Sequence, residues 1–112
     1  MMSGLQATIF DEDPVSTRAE RTVVYVDVDD TLVRWAGTKR IPIPRAIERA
    51  RQLHRDGALL FLWSTGGAEY ARSIARDLDI EGCFEAFLPK PTLVIDDQAM
   101  HEWRDCKHEY PF

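Results

Sequence analysis

The chain has 112 residues, 45% of them hydrophobic, which suffices for one modest core and excludes a second independent one. A formal net charge of -5 and a pI near 5.1 argue against a broad basic footprint for nucleic acid and favour a small substrate or a protein partner. Cys83 and Cys106 stand in no metal-ligand or redox spacing, so neither a zinc site nor a disulfide framework is indicated, and both are expected as reduced, half-buried thiols.

One domain over residues 1–112 is expected. Its first twenty residues mix apolar and acidic side chains around Pro14 without a sustained period, which predicts an arm or edge segment. The chain start lacks the basic segment and apolar run of a secretory signal, and no later stretch has the length to span a bilayer. A cytoplasmic protein without a membrane partner is the resulting expectation.

Thr22 to Val26 is a β-branched and aromatic run suited to a parallel strand, and it ends in Asp27, Asp29 and Asp30. Pro44 suits the first position of a helix whose apolar stripe is Ala46, Ile47, Ala50 and Leu53, closed by Gly57 in a left-handed conformation. Ala58 to Trp63 predicts a second strand, followed by Ser64, Thr65, Gly66 and Gly67 where strand hands over to helix. Ala71, Ile74, Ala75 and Leu78 make that helix's inner face.

Phe84 to Leu88 predicts a short strand, Pro89-Lys90-Pro91 interrupts, and Thr92 to Ile95 predicts a further strand ending in Asp96-Asp97. A short last helix is expected around Ala99, Met100 and Trp103. Alternating strands and helices imply right-handed crossovers and a central parallel sheet, an α/β domain of Rossmann-like, three-layer type whose ligands bind beyond the strands' carboxyl ends. Every polar cluster falls at that edge.

Side chains alternate along an extended chain, so Asp27 and Asp29 share one side just past the first strand while Val28 points away. Crowded carboxylates are costly unless a cation or proton relieves them, and Asp96-Asp97 at a nearby strand end adds to the demand. A divalent ion of the magnesium type meets it, since it takes hard oxygen ligands and keeps several waters. A hydroxyl such as Ser64 and an ammonium such as Lys90 are suited to the oxygens of a transferred phosphoryl group.

The run Val23-Val24-Tyr25-Val26-Asp27-Val28-Asp29-Asp30-Thr31-Leu32 resembles the first motif of the haloacid-dehalogenase-like superfamily, an apolar strand followed by DxDxT. Leu60 to Ser64 resembles the second motif, Lys90 the third and Leu93 to Asp97 the fourth, in the family's order. The resemblance implies a small capless member, with residues 33–43 as the squiggle and flap. It further implies that Asp27 is the nucleophile, that Asp29 is the general acid and base, and that Thr31, Ser64 and Lys90 bind phosphate. Asp27, the Asp29 carbonyl, Asp96 and Asp97 would hold Mg2+, with Asp97 the preferred direct ligand of that last pair.

The resemblance thus leads to the expectation of a magnesium-dependent phosphatase that uses an aspartyl-phosphate and acts on a phosphorylated small molecule or an exposed phosphate on a macromolecule. A catalytically weak, metal- and partner-binding or regulatory module is the alternative, and a receiver-like phospho-accepting domain is disfavoured by the DxDxT directly after the first strand. Exposed sheet edges leave room for an oligomer. Arg34, Lys39 and Arg40 in the flap are either a solvated face or an attractor for an anionic substrate. Trp35 is either packing or a stacking platform. His54, His101 and His108 have no partner spacing and are expected as surface or packing residues.

Overall fold

Three of the apolar runs become one parallel sheet in the computed structural model, which describes residues 21–111. The expected arm, residues 1–20, lies outside the described residues. The sheet comprises β1 (Val23–Asp27), β4 (Leu59–Ser64) and β5 (Phe84–Pro89), with β4 in the middle. Between β1 and β4 come an antiparallel hairpin, β2 (Val33–Ala36) and β3 (Lys39–Pro42), and the helix α1 (Pro44–Arg55). The helix α2 (Ala68–Asp77) joins β4 to β5.

Register places Asp27 beside Trp63 and Ser64 beside Pro89, so the three strands end at one level. An irregularity in the pairing of β4 with β5 leaves Glu85 unmatched between Leu60↔Phe84 and Phe61↔Ala86. This β-bulge changes the phase of alternation. Phe84 and Phe87, three residues apart, therefore both pack with the core, their rings 5.9 Å apart.

Both helices end as their sequences dictate. Pro44 opens α1, and Gly57 at φ 94° closes it, with the Gly57 N–H bonded to the His54 carbonyl and the Ala58 N–H to the Leu53 carbonyl, each at 3.0 Å. That is a Schellman closure. Asp79 plays the same part for α2 at φ 59°, and the next residue, Ile80, is buried beneath the helix end. α1 and α2 lay Ala46, Ile47, Ala50, Ala71, Ile74 and Ala75 into one cluster with Leu60 and Leu62, the side of β4 that alternation turns inward. The small helix residues let both helices approach the sheet closely.

The opposite side of the sheet carries Tyr25, Phe61 and Trp63, whose rings pack on one another at 5.3 and 4.9 Å. Among the described residues no helix joins the core from that side, so these residues form two layers where three were expected. The expected strand Thr92 to Ile95 is not formed either: Leu93 is 75% and Ile95 91% exposed. Only Lys90-Pro91 separates this run from the end of β5, whereas adding a parallel strand needs a crossover of roughly a dozen residues. Pro91 also removes a backbone donor. The expected last helix shortens to a single 3-10 turn, Met100–Glu102, and the tail is pinned to α1 by a two-pronged contact of Arg49 with Glu109 at 2.8 and 3.0 Å.

Cys83 is half-buried as expected, but Cys106 is exposed, and both are free thiols. No helix among the described residues is long and apolar enough to cross a membrane.

Candidate active site

Asp27 is the last residue of β1, and the turn after it builds the first wall of a site. Val28 is fully buried, and its carbonyl accepts the N–H groups of Thr31, Leu32 and Val33 at 3.2, 2.9 and 3.2 Å. Asp30 adopts φ 62° inside this turn, a conformation aspartate tolerates better than most residues. The chain thereby doubles back so that the Thr31 hydroxyl donates to Asp27 Oδ2 at 3.3 Å, long for a hydroxyl donor. Asp27 and Asp29 flank the buried Val28, as alternation requires.

Lys90 comes from the other side of the sheet. Its backbone N–H bonds the Ser64 carbonyl at 2.9 Å, continuing the pairing of β5 with β4 by one more rung. Its ammonium crosses the end of β4 to stand 3.3 Å from Asp27 Oδ1, with both side chains about one-third exposed, and lies 5.8 Å from the centre of the Trp63 ring. This lysine is therefore placed by the sheet rather than by a loop.

Ser64 is the one buried polar side chain among the described residues. Its Oγ accepts the Gly66 N–H at 2.9 Å, which uses a lone pair and leaves the hydroxyl hydrogen to donate. Gly66 packs tightly here: a Cβ at that position would lie 2.8 Å from Tyr70 Cδ2, so the ring would have to shift.

Asp29 is fixed by two donors, Tyr70 Oη at 2.8 Å and Trp35 Nε1 at 3.1 Å, both ending on Oδ1. Neither of these two donors reaches Oδ2. Tyr70 in turn accepts from Arg40 Nε at 3.2 Å, so a relay of donors runs from the hairpin through α2 to Asp29, each bond polarising the next. Burial first, and then the bond to Asp29, hold the Tyr70 hydroxyl above its ordinary pKa, so it stays a donor.

Asp27, Asp29, Thr31, Ser64 and Lys90 thus gather at the carboxyl ends of three adjacent strands. Asp96 and Asp97 do not join them as side chains of a strand end; they sit in the exposed segment after Pro91, where Asp96 Oδ1 accepts the Gln98 N–H at 2.9 Å. That N–H is the main reason the Asp96 carboxyl titrates below its ordinary range. Tyr70 was not among the residues singled out from the sequence. Its signal was there: an aromatic with a polar tip in the first turn of α2, beside the inward stripe of Ala71 and Ile74 and directly after the strand end that carries Ser64.

A magnesium ion suits the donor set in kind, because the Asp27 carboxylate and the Asp29 carbonyl are hard oxygens. Among the described residues no three or more His, Cys, Asp or Glu side chains converge to hold an ion. Substrate oxygens and water would have to complete its shell.

A protein of Autographa californica nuclear polyhedrosis virus, described as "Uncharacterized 38.0 kDa protein in P143-LEF5 intergenic region", is 30% identical over 77 residues, 69% of this chain. The chain spans 24% of the length of that relative. No solved structure matches. The haloacid-dehalogenase-like membership implied by the motifs is corrected by these matches, since neither the viral relative nor the matching family carries that assignment. The chain belongs instead to the family described as "Protein of unknown function (DUF705)", whose model matches residues 5–108.

Proposed function

We propose that this chain is a magnesium-dependent phosphomonoester hydrolase that works through an aspartyl-phosphate at Asp27. The observation that carries the reading is the convergence on one carboxylate: Asp27 is met by the Lys90 ammonium and the Thr31 hydroxyl, with the orientated Asp29 two residues on.

An Asp27 oxygen attacks phosphorus as the ester P–O bond breaks, and Asp29 gives its proton to the departing alkoxide. Water then attacks the phosphorus of the acyl phosphate, Asp29 takes a proton from it, and the bond to Asp27 breaks to release inorganic phosphate. Lys90 and the Ser64 hydroxyl donate to the phosphoryl oxygens, while Thr31 keeps the Asp27 carboxyl in its attacking orientation. Bound magnesium would neutralise charge on the transferred group. Tyr70 and Trp35 hold Asp29 in one rotamer for both proton transfers.

Hydrolysis of phenyl phosphate by the purified protein tests this, with magnesium, with chelator, and with Asp27→Asn verified by circular dichroism. Turnover that chelator and substitution each abolish supports the mechanism. Turnover that survives Asp27→Asn would falsify it. A second reading, a metal- and partner-binding module with little turnover, is favoured by the position of Asp96 and Asp97 in the exposed segment; magnesium and phosphate binding without hydrolysis would select it.

A further inference from the structure

At the mouth of the site stands a cation that the hydrolytic steps leave unused. Arg40, exposed on β3, has its guanidinium 4.6 Å from the centre of the Trp35 ring and 5.2 Å from that of Tyr70, and donates from Nε to Tyr70 Oη at 3.2 Å. Two ring contacts and one hydrogen bond fix the plane of the group. No ion pair among the described residues engages it. Its two Nη nitrogens form a fork matched to a carboxylate or a phosphate, a geometry that lysine lacks.

The two cations of the site divide between its two carboxylates. Lys90 serves Asp27, where the phosphoryl group is received; Arg40 is tied through one hydroxyl to Asp29, which meets the departing oxygen. Trp35, 48% exposed, lies beside Arg40 and bonds the same Asp29 oxygen. From this division we infer that Arg40 is a specificity determinant, selecting phosphomonoesters whose leaving alcohol carries a second anionic group, with Trp35 as the apolar floor between the two charges. The inference rests on the roles given to Asp27 and Asp29 above.

Equilibrium binding of hydrolysis-resistant probes tests it apart from turnover. Benzylphosphonate, 4-carboxybenzylphosphonate and 4-(phosphonomethyl)benzylphosphonate are titrated calorimetrically into the full chain with magnesium, as wild type, Arg40→Gln and Arg40→Lys. Wild type is expected to bind at least one doubly anionic probe about tenfold or more tighter than benzylphosphonate. Arg40→Gln should bring that ratio close to one, Arg40→Lys should keep part of it, and the preferred probe identifies the anion. Equal binding of all three probes by wild type, or a preference that persists in Arg40→Gln, overturns the assignment. A preference that Arg40→Gln removes, in a protein that hydrolyses neither phenyl phosphate nor 4-carboxybenzyl phosphate, upholds the fork and overturns the phosphatase reading. Absence of binding by every probe overturns both.

Discussion

Lys90 is bound twice to the strands beside it: its backbone N–H to the Ser64 carbonyl at 2.9 Å, and its ammonium to the Asp27 carboxylate at 3.3 Å. The first bond sets where the side chain starts, and the second sets where it ends. Lys90→Ala should therefore leave the pairing of β4 with β5 intact and, on the proposed mechanism, remove one donor from the transferred phosphoryl group. We expect kcat on phenyl phosphate to fall about 100-fold, the usual effect of losing one such donor, with an unchanged circular dichroism spectrum.

Tyr70 predicts an alkaline limit. Its hydroxyl titrates above the ordinary value of 10.0, so the folded chain holds this proton more tightly than the unfolded chain does. The associated stability is complete below the unfolded value, near pH 10, and is lost as the pH climbs through the higher folded one. Urea midpoints measured from pH 8 to pH 11 should decline for wild type and decline less for Tyr70→Phe. Parallel curves for the two proteins would refute the assignment.

Gly66→Ala tests the close approach of the loop to α2. The added methyl meets a ring carbon of Tyr70 at 2.8 Å, and the ring can retreat only by loosening its bond to Asp29. Overpacking of this kind costs about 1–3 kcal/mol. Urea denaturation should show that loss, and Tyr70→Phe/Gly66→Ala should lose less than the sum of the single variants, because both act on one contact.

Leu62→Ala probes the core without touching the site. Leu62 is fully buried between α2 and the sheet in the main cluster, so truncation should cost about 2–5 kcal/mol by urea denaturation. In the surviving folded fraction, KM for phenyl phosphate should stay within about twofold, a change smaller than a lost substrate hydrogen bond would give.

Those elements whose signal is local were legible in the sequence. Thr22 to Val26 and Ala58 to Trp63, each one residue short of the strand end observed, announce themselves by β-branched and aromatic composition, α1 by Pro44, its stripe and Gly57, and the candidate site by charge at strand ends. Thr92 to Ile95 carries an equally good strand pattern and is not one, because composition reports what a segment would do if a neighbour were offered. Two residues after β5 cannot carry the chain to a place where a neighbour exists. Tyr70 was missed for the opposite reason: its value lies in a hydroxyl directed at a carboxylate forty-one positions away, which no period along α2 records.

The unmatched Glu85 gives β5 two unequal halves with respect to insertion and deletion. A residue removed at Glu85 restores regular pairing locally, keeps Phe84 and Phe87 on the inward side opposite Leu60 and Leu62, and leaves Ala86 to Pro89 aligned with Phe61 to Ser64. A residue removed between Ala86 and Pro89 instead moves Pro91 into the place of Lys90, whose N–H bonds the Ser64 carbonyl. Pro91 has neither an N–H for the Ser64 carbonyl nor a charge for Asp27. The bulge thus serves as a slip joint: a residue lost at Glu85 is taken up before it reaches the end that carries Lys90, and one lost on the carboxyl side is delivered to that end whole.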